Sequence, residues 1–138
     1  TQFQFPRRGH FFASIGGQDT QLLKPGTWGG AIHELLAPRE GEIVVGKSIF
    51  SAFASNDLHD QLRARGVREL VLAGVATDIV VECTSWAASD LGYDVQIAAD
   101  CCCSHTLDAH QSALGRIAAR ADIVSSADVV GQWAGRTQ

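Results

Sequence analysis

Apolar and polar positions change their period several times between residues 67 and 124, and the changes mark alternating strands and helices. Val67 to Val75 is a nearly continuous apolar run, the pattern of a strand covered on both faces, and Gly74 lets its end turn. From Ile79 the period becomes helical. Ile79, Val80, Cys83, Ala87 and Leu91 share one side of the predicted helix, which is expected to face inward and to stop at Gly92. Asp94 to Asp100 reads as the next strand. Thr106 caps a helix carrying Leu107, His110, Leu114, Ile117 and Ala118. Ile123 and Val124 form a last strand before a short amphipathic tail at Ala127 to Trp133.

The upstream pattern is sparser. Ala31 to Leu36 predicts a short helix, Pro38 to Gly41 a turn, and Glu42 to Lys47, with Ile43, Val44 and Val45, a strand. Ser55 or Asn56 then caps a helix with Leu58, Leu62 and Val67 inward and Gly66 as its stop. Residues 1–29 place Phe3, Phe5, Phe11 and Phe12 among glycines and polar residues without a sustained period, a strand remnant followed by loop. The alternation of strands and helices implies an α/β fold, a three-layer parallel sheet with right-handed crossovers.

Composition sharpens this picture. A chain of 138 residues is long enough for one domain with a real core, and a single domain over residues 1–138 is expected, its first 25 residues irregular. Hydrophobic residues at 46% and charged residues at 19% are an ordinary globular mixture, and a net charge of -4 gives no electrostatic reason to expect nucleic acid. Arg7-Arg8 is the only basic pair near a terminus. With no run of about 18 apolar residues and no secretory pattern, neither a membrane span nor export is expected, and a cytoplasmic location is the default.

The four cysteines read as free thiols, because three are consecutive and the expected core needs no cross-links. Cys101, Cys102 and Cys103 with His105 read as packing residues rather than a metal cluster, since adjacent side chains leaving a strand alternate between faces. His105 and His110 lack the one-face spacing of a helical pair, and His10, His33 and His59 sit on polar segments.

Candidate chemistry lies in the turn after the central strand. Open α/β sheets carry their sites outside the carboxyl ends of the strands, where a helix start presents free amides and its positive dipole end. Asp78 in this turn is read first as a helix cap and second as a charged group in the pocket. Upstream stands Val-Val-Gly-Lys-Ser-Ile-Phe-Ser-Ala-Phe at 44–53. Together with Gly-Thr-Trp-Gly from Gly26, Gly92-Tyr93 and Asp100-Cys101, all in the same order, it makes the stretch from Gly26 to Val130 resemble the isochorismatase-like cysteine hydrolases.

That resemblance implies a definite chemistry: hydrolysis of small amides and ureido acids by a thiolate, helped by an aspartate from a first, central strand and a strand-end lysine that activates the thiol. It makes Lys47 the lysine, the backbone amides of Ala76 and Val80 the oxyanion donors, and Phe53, Val75, Thr77 and Asp78 the pocket residues, with a cis bond between Val75 and Ala76. Val80, however, stands where those relatives carry the nucleophilic cysteine. Nothing in residues 1–25 reads as an apolar strand ending in aspartate; Asp19, the only carboxylate there, lies in a loop composition. The first central strand is therefore expected to be missing, leaving the sheet to close over the gap, borrow a strand from a partner chain or keep an open edge.

Cys83 lies about 4.5 Å further along the same helix than Val80. It reads either as a displaced nucleophile or as a buried thiol packed under the sheet. The isochorismatases of the superfamily manage without the cysteine, using the first-strand aspartate as general acid. They carry an aromatic residue and a histidine where this chain has Ala76 and Asp78. Trp28, Trp86 and Phe50 read as pocket walls or as core. The resemblance thus implies a hydrolase whose catalytic set is incomplete, with weak or no activity; the other reading is a non-catalytic oligomeric binding protein. A small-molecule substrate or ligand and further copies of the chain, as a dimer or tetramer, are the expected partners. No cofactor is expected, and no catalytic metal, because Arg8-Gly9-His10 supplies one histidine without a partner.

Overall fold

The computed structural model describes residues 25–47, 49–54 and 56–135. They belong to two compact units divided between Ser48 and Ile49. The expectations for Phe3, Phe5, Arg7, Arg8, His10, Phe11, Phe12, Asp19 and Ser55 lie outside the described residues.

In the first unit the chain makes 3-10 turns at Trp28–Gly30 and Glu34–Leu36, the second capped by His33 Nδ1, which accepts the Leu35 amide at 3.2 Å. The helix expected over 31–36 is thus reduced to one tight turn, too short to cover the cost of an α-helical nucleus. The Pro38 to Gly41 turn is present, closed by the Glu42 amide on the Arg39 carbonyl at 3.1 Å with Gly41 at φ +85°. The strand expected at Glu42 to Lys47 is not formed. Its apolar residues suit a strand, but a strand exists only as part of a ladder, and no ladder among the described residues includes this segment.

The second unit is built on a parallel three-stranded sheet in the order β1 (Glu69–Val75), β2 (Asp94–Cys103), β3 (Asp122–Val124). Helices α1 (Leu58–Ala64), α2 (Glu82–Asp90), α3 (Leu107–Ile117) and α4 (Ser126–Gly135) precede, connect or follow the strands. The core holds Val81, Ala88, Tyr93, Val95, Ile97 and Ile117, with Leu62, Leu70, Leu72 and Leu114 packed against it. Strand alternation sends Val95 and Ile97 to the side of α2 and α3, while Gln96 turns to the other side, where its Nε2 donates to Gln132 Oε1 of α4 at 3.3 Å. Helices therefore cover both faces, as expected for a three-layer α/β fold. No described strand lies beyond β1, whose last residue, Val75, is 70% exposed.

Local signals set the ends of these elements. Asn56 Oδ1 accepts the Leu58 amide at 2.9 Å and Thr106 Oγ1 the Ala109 amide at 3.1 Å, while Gly66 and Gly92 adopt φ +71° and +85° after α1 and α2. Asp100 holds the start of α4 by accepting the Ser126 amide at 2.7 Å and its hydroxyl at 2.6 Å. Ser125 and Asp128 add a reciprocal pair of bonds there.

One face was misread from the sequence. The inward positions leading into and along α2 are Thr77, Val81, Thr84, Ser85 and Ala88, not Ile79, Val80, Cys83, Ala87 and Leu91; Cys83 and Leu91 are exposed. Small hydroxyl residues can face inward here because each finds a partner. Ser85 donates to the Glu82 carbonyl at 2.8 Å, and Thr84 Oγ1 accepts the Ala52 amide at 3.1 Å.

Candidate active site

The carboxyl ends of β1 and β2 meet after an irregularity in their pairing. Leu72 pairs with Ile97 and Gly74 with Cys102, so β2 spends four residues (98–101) where β1 spends Ala73 alone. The next pair sets Val75 opposite Cys103. The Val75–Ala76 peptide is cis, as the family resemblance implied.

The chain then enters one π-helical turn, Thr77–Val81, that runs into α2. Here the Ala76 carbonyl accepts the amides of Val80 at 2.9 Å and Val81 at 3.1 Å. The Val80 amide, read as an oxyanion donor, is thus engaged within its own turn. Thr77 is completely buried, its hydroxyl 2.8 Å from His110 Nδ1 on α3. Asp78 does not cap the helix: no side-chain cap bond is made at this turn. Instead Ser104, just past β2, donates its hydroxyl to Asp78 Oδ1 at 2.6 Å and accepts the Asp78 amide at 3.2 Å.

Around this turn, Glu82 grips Arg116 through two hydrogen bonds of 2.6 and 2.7 Å, which hold the guanidinium above its ordinary pKa. Cys102, half-buried beside Gly74, has its thiol pushed up by burial. Cys103 is exposed. Cys83 is exposed on α2, not packed under the sheet. Phe53 stacks on Tyr93, ring centroids 5.7 Å apart, at the opposite end of β2 from Val75 and Cys103. Lys47 is an exposed residue of the first unit, and the crevice described here consists of second-unit residues alone. Trp28 is 95% exposed in the first unit, and Trp86 lies under the Arg120 guanidinium at 4.7 Å.

Sequence reasoning brought Val75, Ala76, Thr77, Asp78 and Val80 to one turn. It missed the Asp78–Ser104 clasp, the Thr77–His110 bond and the approach of Cys103 to Val75. Ser104 directly follows the observed strand but lies four residues past the end at Asp100 read from the sequence, so no local signal marked the first of these. Among the described residues no group of three or more His, Cys, Asp or Glu is placed to hold a metal ion, and no helix is long and apolar enough to cross a membrane.

A parallel α/β sheet with a turn into a helix start at its carboxyl edge defines a class of crevice-sited proteins. The chain belongs to the isochorismatase family: residues 1–129 match the family's isochorismatase domain. It is similar to ureidoacrylate amidohydrolase RutB of Methylobacterium radiotolerans, 47% identical over 66 residues that cover 48% of this chain and 26% of that protein. The matched stretch spans less than a third of the RutB proteins it resembles. Among solved structures, an isochorismatase-like hydrolase from Alkaliphilus metalliredigens superimposes with a TM-score of 0.75 at 30% identity, covering 78% of this chain and 60% of that one. The nicotinamidase PncA of Bacillus subtilis does so with a TM-score of 0.54 at 35% identity, covering 57% and 45%.

Proposed function

We propose that this chain hydrolyses the C–N bond of small amides or ureido acids, slowly, with part of the family's catalytic set absent. The observation that carries the reading is the turn from β1 into α2 at the carboxyl ends of β1 and β2, with a carboxylate at Asp78 but only a hydrocarbon side chain at Val80. Relatives named for ureidoacrylate and nicotinamide hydrolysis support the substrate class. In this reading Lys47 supplies a positive charge, the Ala76 amide meets the developing oxyanion, and the Val80 amide joins it by opening its bond within the turn. Val75 and Asp78 border the substrate, with Phe53 further off; Thr77, expected in the pocket, is wholly buried behind the turn and does not reach it.

The test is an assay of the purified chain against ureidoacrylate, nicotinamide and isochorismate, with Lys47→Ala alongside. Slow amide turnover that falls with Lys47→Ala is expected. Turnover of isochorismate alone would move the chemistry to vinyl ethers, and no turnover would overturn the reading. A second reading, a non-catalytic oligomeric binding protein, draws on the place of β1 as the outermost strand among the described residues. A monomer in light scattering that unfolds in one cooperative transition would remove it.

A further inference from the structure

Resting on the amide-hydrolase reading, we propose that His110 is a positioning residue for this crevice: by holding the buried Thr77 hydroxyl from α3, it fixes the turn between Ala76 and Asp78 in the orientation that turnover needs. Neither of the two side chains touches the substrate in that reading. Thr77 stands between two groups that do, with the Ala76 amide before it and the Asp78 carboxylate after it.

The turn is anchored at two successive residues by two different elements. Thr77 points inward, has no exposure, and places its hydroxyl 2.8 Å from His110 Nδ1. Asp78 is held by Ser104, just past β2. Side chains fixed at consecutive positions leave the peptide between them little freedom to rotate. Among the described residues, the Thr77 bond is the only side-chain hydrogen bond that joins this turn to α3.

His110 is itself well held. Its amide donates to the Thr106 carbonyl at 3.1 Å, and Thr106 Oγ1 caps α3 by accepting the Ala109 amide at 3.1 Å, so the half-buried ring stands on the first turn of a capped helix. Without Nδ1, the Thr77 hydroxyl would be a buried polar group lacking its partner, and the turn would gain by rotating it towards water. That rotation carries the Ala76 amide with it. A displacement of about 1 Å is enough to cost roughly 100-fold in a reaction that depends on alignment. The reading also has the Val80 amide open its bond to the Ala76 carbonyl, so the turn must stay fixed at its base while it loosens further along. Thr77 is that base.

The experiment measures kcat and KM for ureidoacrylate and nicotinamide, together with thermal midpoints. The proteins are the full chain, Thr77→Val, Thr77→Ser, His110→Leu, His110→Asn, His110→Gln, the double variant of Thr77→Val with His110→Leu, and Ile117→Val as a control that loosens α3 in the core. Thr77→Val and His110→Leu are each expected to lose about 10- to 100-fold in kcat, with KM changed by less than about twofold. Because the pair acts as one unit, the double variant should lose no more than either single one. Nδ1 is two bonds from Cβ, as are the terminal atoms of asparagine, whereas those of glutamine are three bonds away. His110→Asn and Thr77→Ser should therefore recover most of the turnover, and His110→Gln should not. Ile117→Val should lower the midpoint and leave kcat at the wild-type value. Wild-type kcat in Thr77→Val, losses that multiply in the double variant, or an equal loss of kcat in Ile117→Val overturns the positioning role and leaves the hydrolase reading standing. If His110→Leu does not fold, the contrasts of Thr77→Val with Thr77→Ser and of His110→Asn with His110→Gln decide the matter. A wild-type chain inert to both substrates overturns the two together.

Discussion

Thr77 has no exposure, and its hydroxyl meets His110 Nδ1, so removing the hydroxyl leaves a ring nitrogen facing an apolar wall. Thr77→Val is expected to cost about 1 kcal/mol in a denaturant titration, since the net worth of one such bond is of that order. Asp100 and Asp128 are held below the ordinary carboxylate range, first by the hydroxyls and then by the amides of Ser126 and Ser125. Because folding lowers their pKa, the stability they confer is fully present above the ordinary carboxylate value of about 4 and is lost as the pH falls through their lowered folded values. The start of α4 should therefore loosen in that acidic window. In NMR titrations the Asp100 carboxyl carbon should move at lower pH than those of solvated aspartates, and Ser126→Ala should raise its midpoint. Single residues of the site were readable where a motif fixed them, as at Val80. The partners of Asp78 and Asp100 were not, because Ser104 and Ser126 each lie 26 positions away and only folding brings them near.

Helix α2 shows why periodicity alone picked the wrong face. The apolar positions Ile79, Val80, Cys83, Ala87 and Leu91 keep a helical rhythm, yet the face against the sheet is made of small residues whose hydroxyls are satisfied locally. A hydropathy pattern counts Thr84 and Ser85 as polar and cannot see the Ala52 amide that donates to Thr84 or the Glu82 carbonyl that accepts from Ser85. The difference is open to measurement. Ser85 is 2% exposed, so Ser85→Leu should overpack the interface and cost about 1–3 kcal/mol. Cys83→Leu, on the exposed side, should change stability by no more than about 0.5 kcal/mol. Both are read from thermal or urea midpoints. Where caps and glycine stops flanked a run, as at Thr106 and Gly92, element boundaries were legible. At Glu42 to Lys47 the residue types suited a strand, but a sequence pattern does not state whether a ladder partner exists.

For the molecule as a whole, stability in the second unit centres on the middle of β2, where Ile97 is wholly buried between β1, β3 and the helices. Ile97→Ala should remove about 2–5 kcal/mol, the upper end of the substitutions considered, measured by urea unfolding. The α/β class and parallel order were legible because three strand–helix alternations leave few right-handed arrangements. Strand partners past β1 were not, since edges depend on contacts that hydropathy does not encode. The uneven pairing between β1 and β2 also bears on how this chain tolerates change. With four residues of β2 facing one of β1, the strand acts as a sliding scale whose reading is taken at Val75. A one- or two-residue slip that advances β2 past the irregularity would bring Cys102 or Cys101 to that mark, while a slip the other way would bring Ser104. Three adjacent cysteines therefore keep the same type of side chain opposite Val75 through small insertions in the strand, whereas a deletion would put a hydroxyl there.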